Sequence, residues 1–178
     1  MRGADAAAGR RGSRPRHGPY TRSLERLPVR ESDDEAIRVE GEFPADPNTV
    51  DIRYAERLLA GERGVGGVEG FRRLARIAEK LQAGVAASRV AVDLGWIDRE
   101  RQVGQTGKTV APALYLACGI SGASHHLDGM AEAQHIVAIN RDPEAAIFKV
   151  AHLGLVADLH EVLAQLEEKL VGDSGGAR

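Results

Sequence analysis

The sequence predicts an α/β fold, a Rossmann-like parallel sheet with flanking helices, and three observations carry that prediction. From about Ala55 onward, short aliphatic runs alternate with stretches of helical periodicity, the rhythm of βαβ units. Several runs are bounded by Gly or Asn, as buried parallel strands are. Polar and glycine-rich clusters fall just after the runs, where an open α/β sheet places its ligand crevice.

Arg57–Ala60 is the first expected strand. Val68–Leu81 reads as a helix because Phe71, Leu74, Ala78 and Leu81 share one face. Val85–Ala87, Leu114–Cys118 and His135–Ile139 are the next expected strands, and Leu153–Ala157 is the last. Asp158 with Glu161 reads as a capping pair for a closing helix whose Leu159, Val162, Leu163, Leu166 and Leu170 line a face. Gly172, Gly175 and Gly176 end it. The expected domain is therefore 51–172, with 173–178 as a flexible tail.

Residues 1–30 hold eight arginines against Asp5 and Glu25 and show no apolar periodicity, so a disordered tail is expected. An Arg-rich, acid-poor segment also fits an organelle presequence or nucleic-acid contact, whereas a secretory h-region is absent from it. Residues 31–50, dominated by Glu31, Asp33, Asp34, Glu35, Glu40 and Glu42 and closed by Pro44 and Pro47, read as an acidic linker.

Composition narrows the function classes. Hydrophobic residues at 43% support a core, and aromatics at 4% make it aliphatic. A formal charge of −2 argues against nucleic acid as a partner of the folded part. Cys118 is the only cysteine, which excludes an intrachain disulfide and a Cys-based zinc site and suits a reducing compartment. No apolar run reaches the ~18 residues of a membrane span, so no membrane insertion is expected.

Five clusters should converge at the strand ends: Gly61–Gly67, Ser88–Arg89, Gly104–Lys108, Gly119–His126 and Asn140–Asp142. The fourth follows a strand and is expected to open a helix, so its amides and Ser121 can receive a phosphate; an ordinary tight turn is the alternative. Gly104 and Gly107 are three apart, the wrong spacing for a nucleoside triphosphate loop. Arg89 either faces a ligand or pairs with Asp93 at the surface. Asn140 can cap a helix starting at Asp142–Pro143, and Asp158 can serve as an N-cap with no ligand. His125 and His126 point in different directions on a helix and have no partner at metal-ligand spacing.

Taken in order, Ala87-Ser-Arg-Val-Ala-Val-Asp-Leu-Gly-Trp96, Gln102-Val-Gly-Gln-Thr-Gly-Lys108, Gly119-Ile-Ser-Gly-Ala123 and Ala138-Ile-Asn-Arg-Asp-Pro-Glu144 closely resemble the C-terminal domain of electron transfer flavoprotein alpha subunits, over about residues 55–170. The resemblance implies FAD on a Rossmann-like domain of the deoxyhypusine synthase type. It implies an electron carrier rather than an enzyme with its own substrate, taking electrons from flavoprotein dehydrogenases and passing them to a quinone reductase or another acceptor. A beta subunit would be its heterodimer partner, in a bacterial cytoplasm or a mitochondrial matrix. A stand-alone flavin- or NAD-dependent oxidoreductase and a truncated non-redox fragment are the alternatives.

Carried onto matching positions, the resemblance puts Arg63 and Ser88 on the cofactor and Arg89 over the isoalloxazine. Thr106, within Val103, Gly104, Gln105, Thr106 and Gly107, would approach the flavin N5. His126 would lie near the C2 carbonyl, while Ser121 and the neighbouring Gly122, Ala123, Ser124 and His125 hold phosphate and ribitol oxygens. Asn140, Asp158 and Leu159 would bind toward the adenosine. The chain departs from the family's usual pattern at Gly61-Glu62-Arg63-Gly64 (Gly-Gly-Arg-Gly), at His125 (Gln) and at Ala145-Ala-Ile-Phe148 (Ala-Pro-Ile-Phe). The family also carries an α/β domain before this one, which residues 1–50 are too short to form.

Overall fold

In the computed structural model, residues 50–172 are described. The tail expected over 1–30, the linker up to residue 49 and the tail at 173–178 lie outside the described residues. Strands β1 (Arg57–Gly61), β2 (Gly84–Ala87), β3 (Leu114–Cys118), β4 (His135–Asn140) and β5 (Leu153–Val156) form one all-parallel sheet in the order β2-β1-β3-β4-β5. Each expected strand is present to within a residue or so at either end.

Because successive strand side chains alternate between faces, the core divides into two layers. Leu59, Val85, Ala87, Leu116, Cys118 and Ile139 pack beneath α1 (Val68–Lys80) and α4 (Leu159–Gly172). Helix α1 buries Phe71, Leu74, Ile77 and Ala78, and Leu81 closes it just past the end. Asp158 caps α4: its Oδ1 accepts from the amides of His160 (2.8 Å) and Glu161 (3.3 Å). An Arg73–Glu167 ion pair of 2.7 Å ties the two helices together.

Leu58, Ala60, Ala86, Tyr115, Ala117, Ile136 and Ala138 belong to the opposite layer, where they pack with Ile52, Val103, Val110, Ile120, Met130 and Ile147. Those partners come from irregular segments, a 3-10 turn at Ala146–Lys149 and the short-helix region around α3 (Ser124–Leu127).

One element is added and two local expectations change. A short helix α2 (Arg89–Asp93) follows β2 directly, with Ala91 packed on the helical layer. The Gly119–His126 cluster opens only the single turn of α3, because the chain closes back at Asp128 and Gly129 through their amides to Ser124 O and His126 O. No helix starts at Asp142–Pro143. There the side chains of Asn140 and Asp142 accept the amides of Asp142 (3.0 Å) and Glu144 (2.9 Å), turns that compete with helix formation, and the 3-10 turn begins at Ala146.

Candidate functional site

The chain leaves β1 toward β2 but leaves β3 toward β4 and β5, so the topological switch point lies between the carboxyl ends of β1 and β3. Gly64 and Gly119 meet there so closely that a Cβ on Gly64 would stand 2.8 Å from the Gly119 Cα. Gly119 also has φ +63, which a side chain disfavours. Beside this contact, the Glu62 carboxylate bridges to the loop after β3, accepting the Ser121 amide at 2.8 Å and the Ser121 hydroxyl at 3.1 Å.

Two cavities open at this edge of the sheet. The larger, about 500 Å³, is lined by Glu62, Ser88–Val90, Asp93, Gln102–Thr106, Ala123, His125 and His126. The smaller, about 300 Å³, is lined by Arg63, Gly64, Gly119, Asn140, Arg141 and Asp158–His160. The predicted site residues Ser88, Arg89, Val103, Gly104, Gln105, Thr106, Ala123, His125 and His126 thus gather in one cavity, and Arg63, Asn140, Asp158 and Leu159 in the other. Gly107, Ser121, Gly122 and Ser124 line neither. Gly122, at φ +86, lies under the Ile147 backbone; Gly107 lies against the Gln102 carbonyl; Ser121 is bonded to Glu62; and Ser124 starts α3 on the surface.

Backbone pairing positions the 102–108 loop. The Val103 amide donates to Ala87 O (2.9 Å), the Lys108 amide to Gln102 O (2.8 Å) and the Gln105 amide to His125 O (2.7 Å). Thr106 Oγ1 accepts from Gln102 Nε2 at 2.9 Å, so its own hydrogen stays free to donate. Lys108 is held by Glu100 (2.8 Å) and Asp51 (3.2 Å) away from the cavities, and these carboxylates raise its pKa.

Two polar atoms in the larger cavity's walls are buried without a hydrogen-bond partner, Ser88 Oγ and His126 Nδ1. His126 Nε2 lies 2.9 Å from Tyr115 Oη. Burial holds the Tyr115 phenol protonated, well above its ordinary range. His126 Nε2 is the hydrogen-bond partner of the Tyr115 phenol among the described residues, so a phenol that donates to it puts the imidazole hydrogen on Nδ1. Burial lowers the His126 pKa; the Glu62 charge and the Val103 carbonyl, which makes no well-formed hydrogen bond to Nδ1, pull the other way. Arg89 is exposed and pairs with Asp93 at 3.2 Å, a surface contact that is cheap to break.

In the smaller cavity Asn140 is engaged at both ends, Nδ2 donating to Ile120 O at 2.9 Å and Oδ1 accepting from Asp142. Arg63 and Arg141 form no ion pair with a described residue. The sequence marks Glu62 only as a departure in a glycine-rich turn and Arg141 and Gln102 only as members of a cluster or motif, and it gives no signal for His160 or Tyr115. Burial pushes the Cys118 thiol up to about 12. Among the described residues no cluster of His, Cys, Asp and Glu could hold a metal, and no helix is long and apolar enough to cross a membrane.

Residues 51–131 match the family described as the electron transfer flavoprotein FAD-binding domain. The electron transfer flavoprotein subunit alpha of Thermoanaerobacterium thermosaccharolyticum is 50% identical over 123 residues, 69% of this chain and 37% of that protein. The Bacillus subtilis subunit alpha is 54% identical over 120 residues, 67% of this chain and 37% of its own length. The mitochondrial subunit alpha of Oryza sativa subsp. japonica is 51% identical over 125 residues, 70% of this chain and 35% of its own. The matched stretch spans a little over a third of these relatives.

Proposed function

The domain matched at residues 51–131 belongs to the electron transfer flavoprotein FAD-binding family, and on that premise we propose that this chain holds FAD across its two cavities and works as an alpha-subunit-like electron carrier. The observation that carries the reading is the pair of orphaned buried atoms, Ser88 Oγ and His126 Nδ1, in the wall of the larger cavity at the carboxyl end of the sheet. A buried polar atom without a partner costs about 1–3 kcal/mol, and a planar heteroaromatic ring with donors and acceptors on its edge relieves that cost. Apart from the Glu62 charge, the residues present fit the group.

Bound FAD supplies the redox chemistry, and the chain supplies position and electrostatics. Ser88, His126 and Thr106 would orient the ring: the Nδ1–H of His126 and the free hydrogen of Thr106 are the donors they would offer to its edge. His126 stays neutral near pH 7 because burial disfavours its cation, so it serves as a dipolar donor. Arg89, whose surface pair with Asp93 is cheap to break, would be the cation available beside the ring, where a permanent charge would favour the reduced state. Arg63 and Arg141 would be the cations for the dinucleotide's phosphates in the smaller cavity, and Asn140, Asp158 and Leu159 would hold the adenosine. The remaining proposed contacts, Val103, Gly104, Gln105, Gly107, Ser121, Gly122, Ala123, Ser124 and His125, supply backbone and wall.

In this reading the chain has no substrate of its own. Its partners are a beta subunit, flavoprotein dehydrogenases as donors and a quinone reductase as acceptor, in a bacterial cytoplasm or a mitochondrial matrix. The test is to purify the full chain, denature it and identify the released cofactor by chromatography before and after phosphodiesterase treatment. Release of about one FAD per chain is expected. A folded, colourless chain that takes up no FAD on titration overturns the reading.

A further inference from the structure

The Glu62 carboxylate is a buried charge with no counter-ion. It is 8% exposed and forms no ion pair with any Lys or Arg among the described residues. Its hydrogen bonds come from Ser121: the amide at 2.8 Å and the hydroxyl at 3.1 and 3.3 Å to its two oxygens. These donors lie at the switch point of the sheet, where an α/β fold concentrates ligand contacts. Glu62 lines the larger cavity, and its chain neighbours Arg63 and Gly64 line the smaller one, so the contact sits where a ligand spanning both would pass.

A backbone amide and a hydroxyl converging on carboxylate oxygens form a small anion receptor. We propose that Glu62 is a built-in anion that fills this receptor and must vacate it before a phosphate-bearing ligand can seat. The proposal rests on the flavin reading above. A phosphate oxygen cannot share the two Ser121 donors with the carboxylate, and two anions at contact distance repel. The backbone leaves the side chain free to swing: Glu62 has φ −133 and ψ −154, unstrained extended geometry, and among the described residues Ser121 alone holds its carboxylate. The departure from Gly-Gly-Arg-Gly thus puts a charged occupant where a glycine would leave the receptor open. The chain binds phosphorylated flavin more weakly than its cavities permit, while a flavin without phosphate is little affected.

The full-length chain, freed of ligand, is titrated with FAD and with riboflavin by flavin fluorescence, and with pyrophosphate by its shift of Tm, for wild type, Glu62→Gln and Glu62→Gly. Glu62→Gly should tighten FAD about tenfold or more, and Glu62→Gln by less because its amide still reaches Ser121. Riboflavin affinity should stay within about twofold in both. Glu62→Gln preserves the acceptor for the Ser121 amide and decides the matter if Glu62→Gly fails to fold, as checked by circular dichroism. FAD affinity that is unchanged or weakened in the folded variants overturns the inference while leaving the flavin reading intact. If no form binds either flavin, the flavin reading fails and pyrophosphate decides: binding to the variants but not to wild type upholds the built-in anion, and no difference overturns it.

Discussion

The two faces of this sheet are built by different means. One is covered by α1 and α4, whose apolar stripes repeat at helical spacing and which Arg73 links by pairing with Glu167 and donating to His160 O. The other is covered by loops whose backbone groups are satisfied by one another: Gln105 by His125, Ile147 by Ser121, Val110 by Gly129. A helix satisfies its own backbone and needs only a partner surface, whereas loops over a core must find every hydrogen bond by mutual fit. The difference teaches where each kind of substitution should act: on the helical face it changes stability, and on the looped face it changes the shape of the site.

The largest expected effect tests the helical face. Leu74, fully buried beneath α1, should lose about 2–5 kcal/mol on substitution by Ala, read by urea unfolding, with the flavin affinity of the folded fraction within about twofold of wild type. A large loss of affinity in folded Leu74→Ala would break the division. Next is Gly122→Ala on the looped face, where φ is +86 and the new Cβ meets the Ile147 backbone. It should cost about 1–3 kcal/mol and, unlike Leu74→Ala, weaken flavin binding in the folded protein, because the turn between β3 and the 3-10 segment must shift.

Arg89→Ala should leave unfolding within about 0.5 kcal/mol of wild type, since its ion pair is exposed. It should nevertheless lower the one-electron reduction potential of the bound flavin, by about 60 mV if the preference for the one-electron-reduced state falls tenfold. Arg89→Lys should recover part of that shift, keeping the charge without the planar group. An unchanged potential in a reductive titration removes Arg89 from redox tuning. The smallest expected effect is that of His126. Its folded pKa lies below the unfolded value, so the unfolded chain takes up the proton first as pH falls. Its stabilising share is therefore complete above the ordinary histidine range near ~6.5 and is lost as pH drops through it. His126→Gln should flatten the slope of stability against pH there, while carboxylates elsewhere keep their own slope at lower pH.

The same contrast explains what the sequence revealed. The strands and both long helices were readable because Phe71, Leu74 and Ala78, or Leu159 and Leu163, repeat at the period of their element. Most of the candidate site was readable too, because its residues sit in short clusters next to those strands. Glu62 was not: its role depends on Ser121, 59 residues away, across two strands that are neighbours only once the sheet order is known. The Gly119–His126 cluster marked where α3 opens but not that it stops after one turn, where the amides of Asp128 and Gly129 return to Ser124 O and His126 O.

Cys118 closes β3 beneath the switch point, and burial pushes its thiol so far above the ordinary range that it stays protonated at pH 7. Alkylating reagents and peroxide, which react by attack of the thiolate on them, are thus kept from the native chain both by charge state and by access. The sulfur becomes reactive only when the central strand opens. Its rate of labelling by iodoacetamide is then a clock for the opening of the sheet, readable by mass spectrometry with no substitution anywhere in the chain.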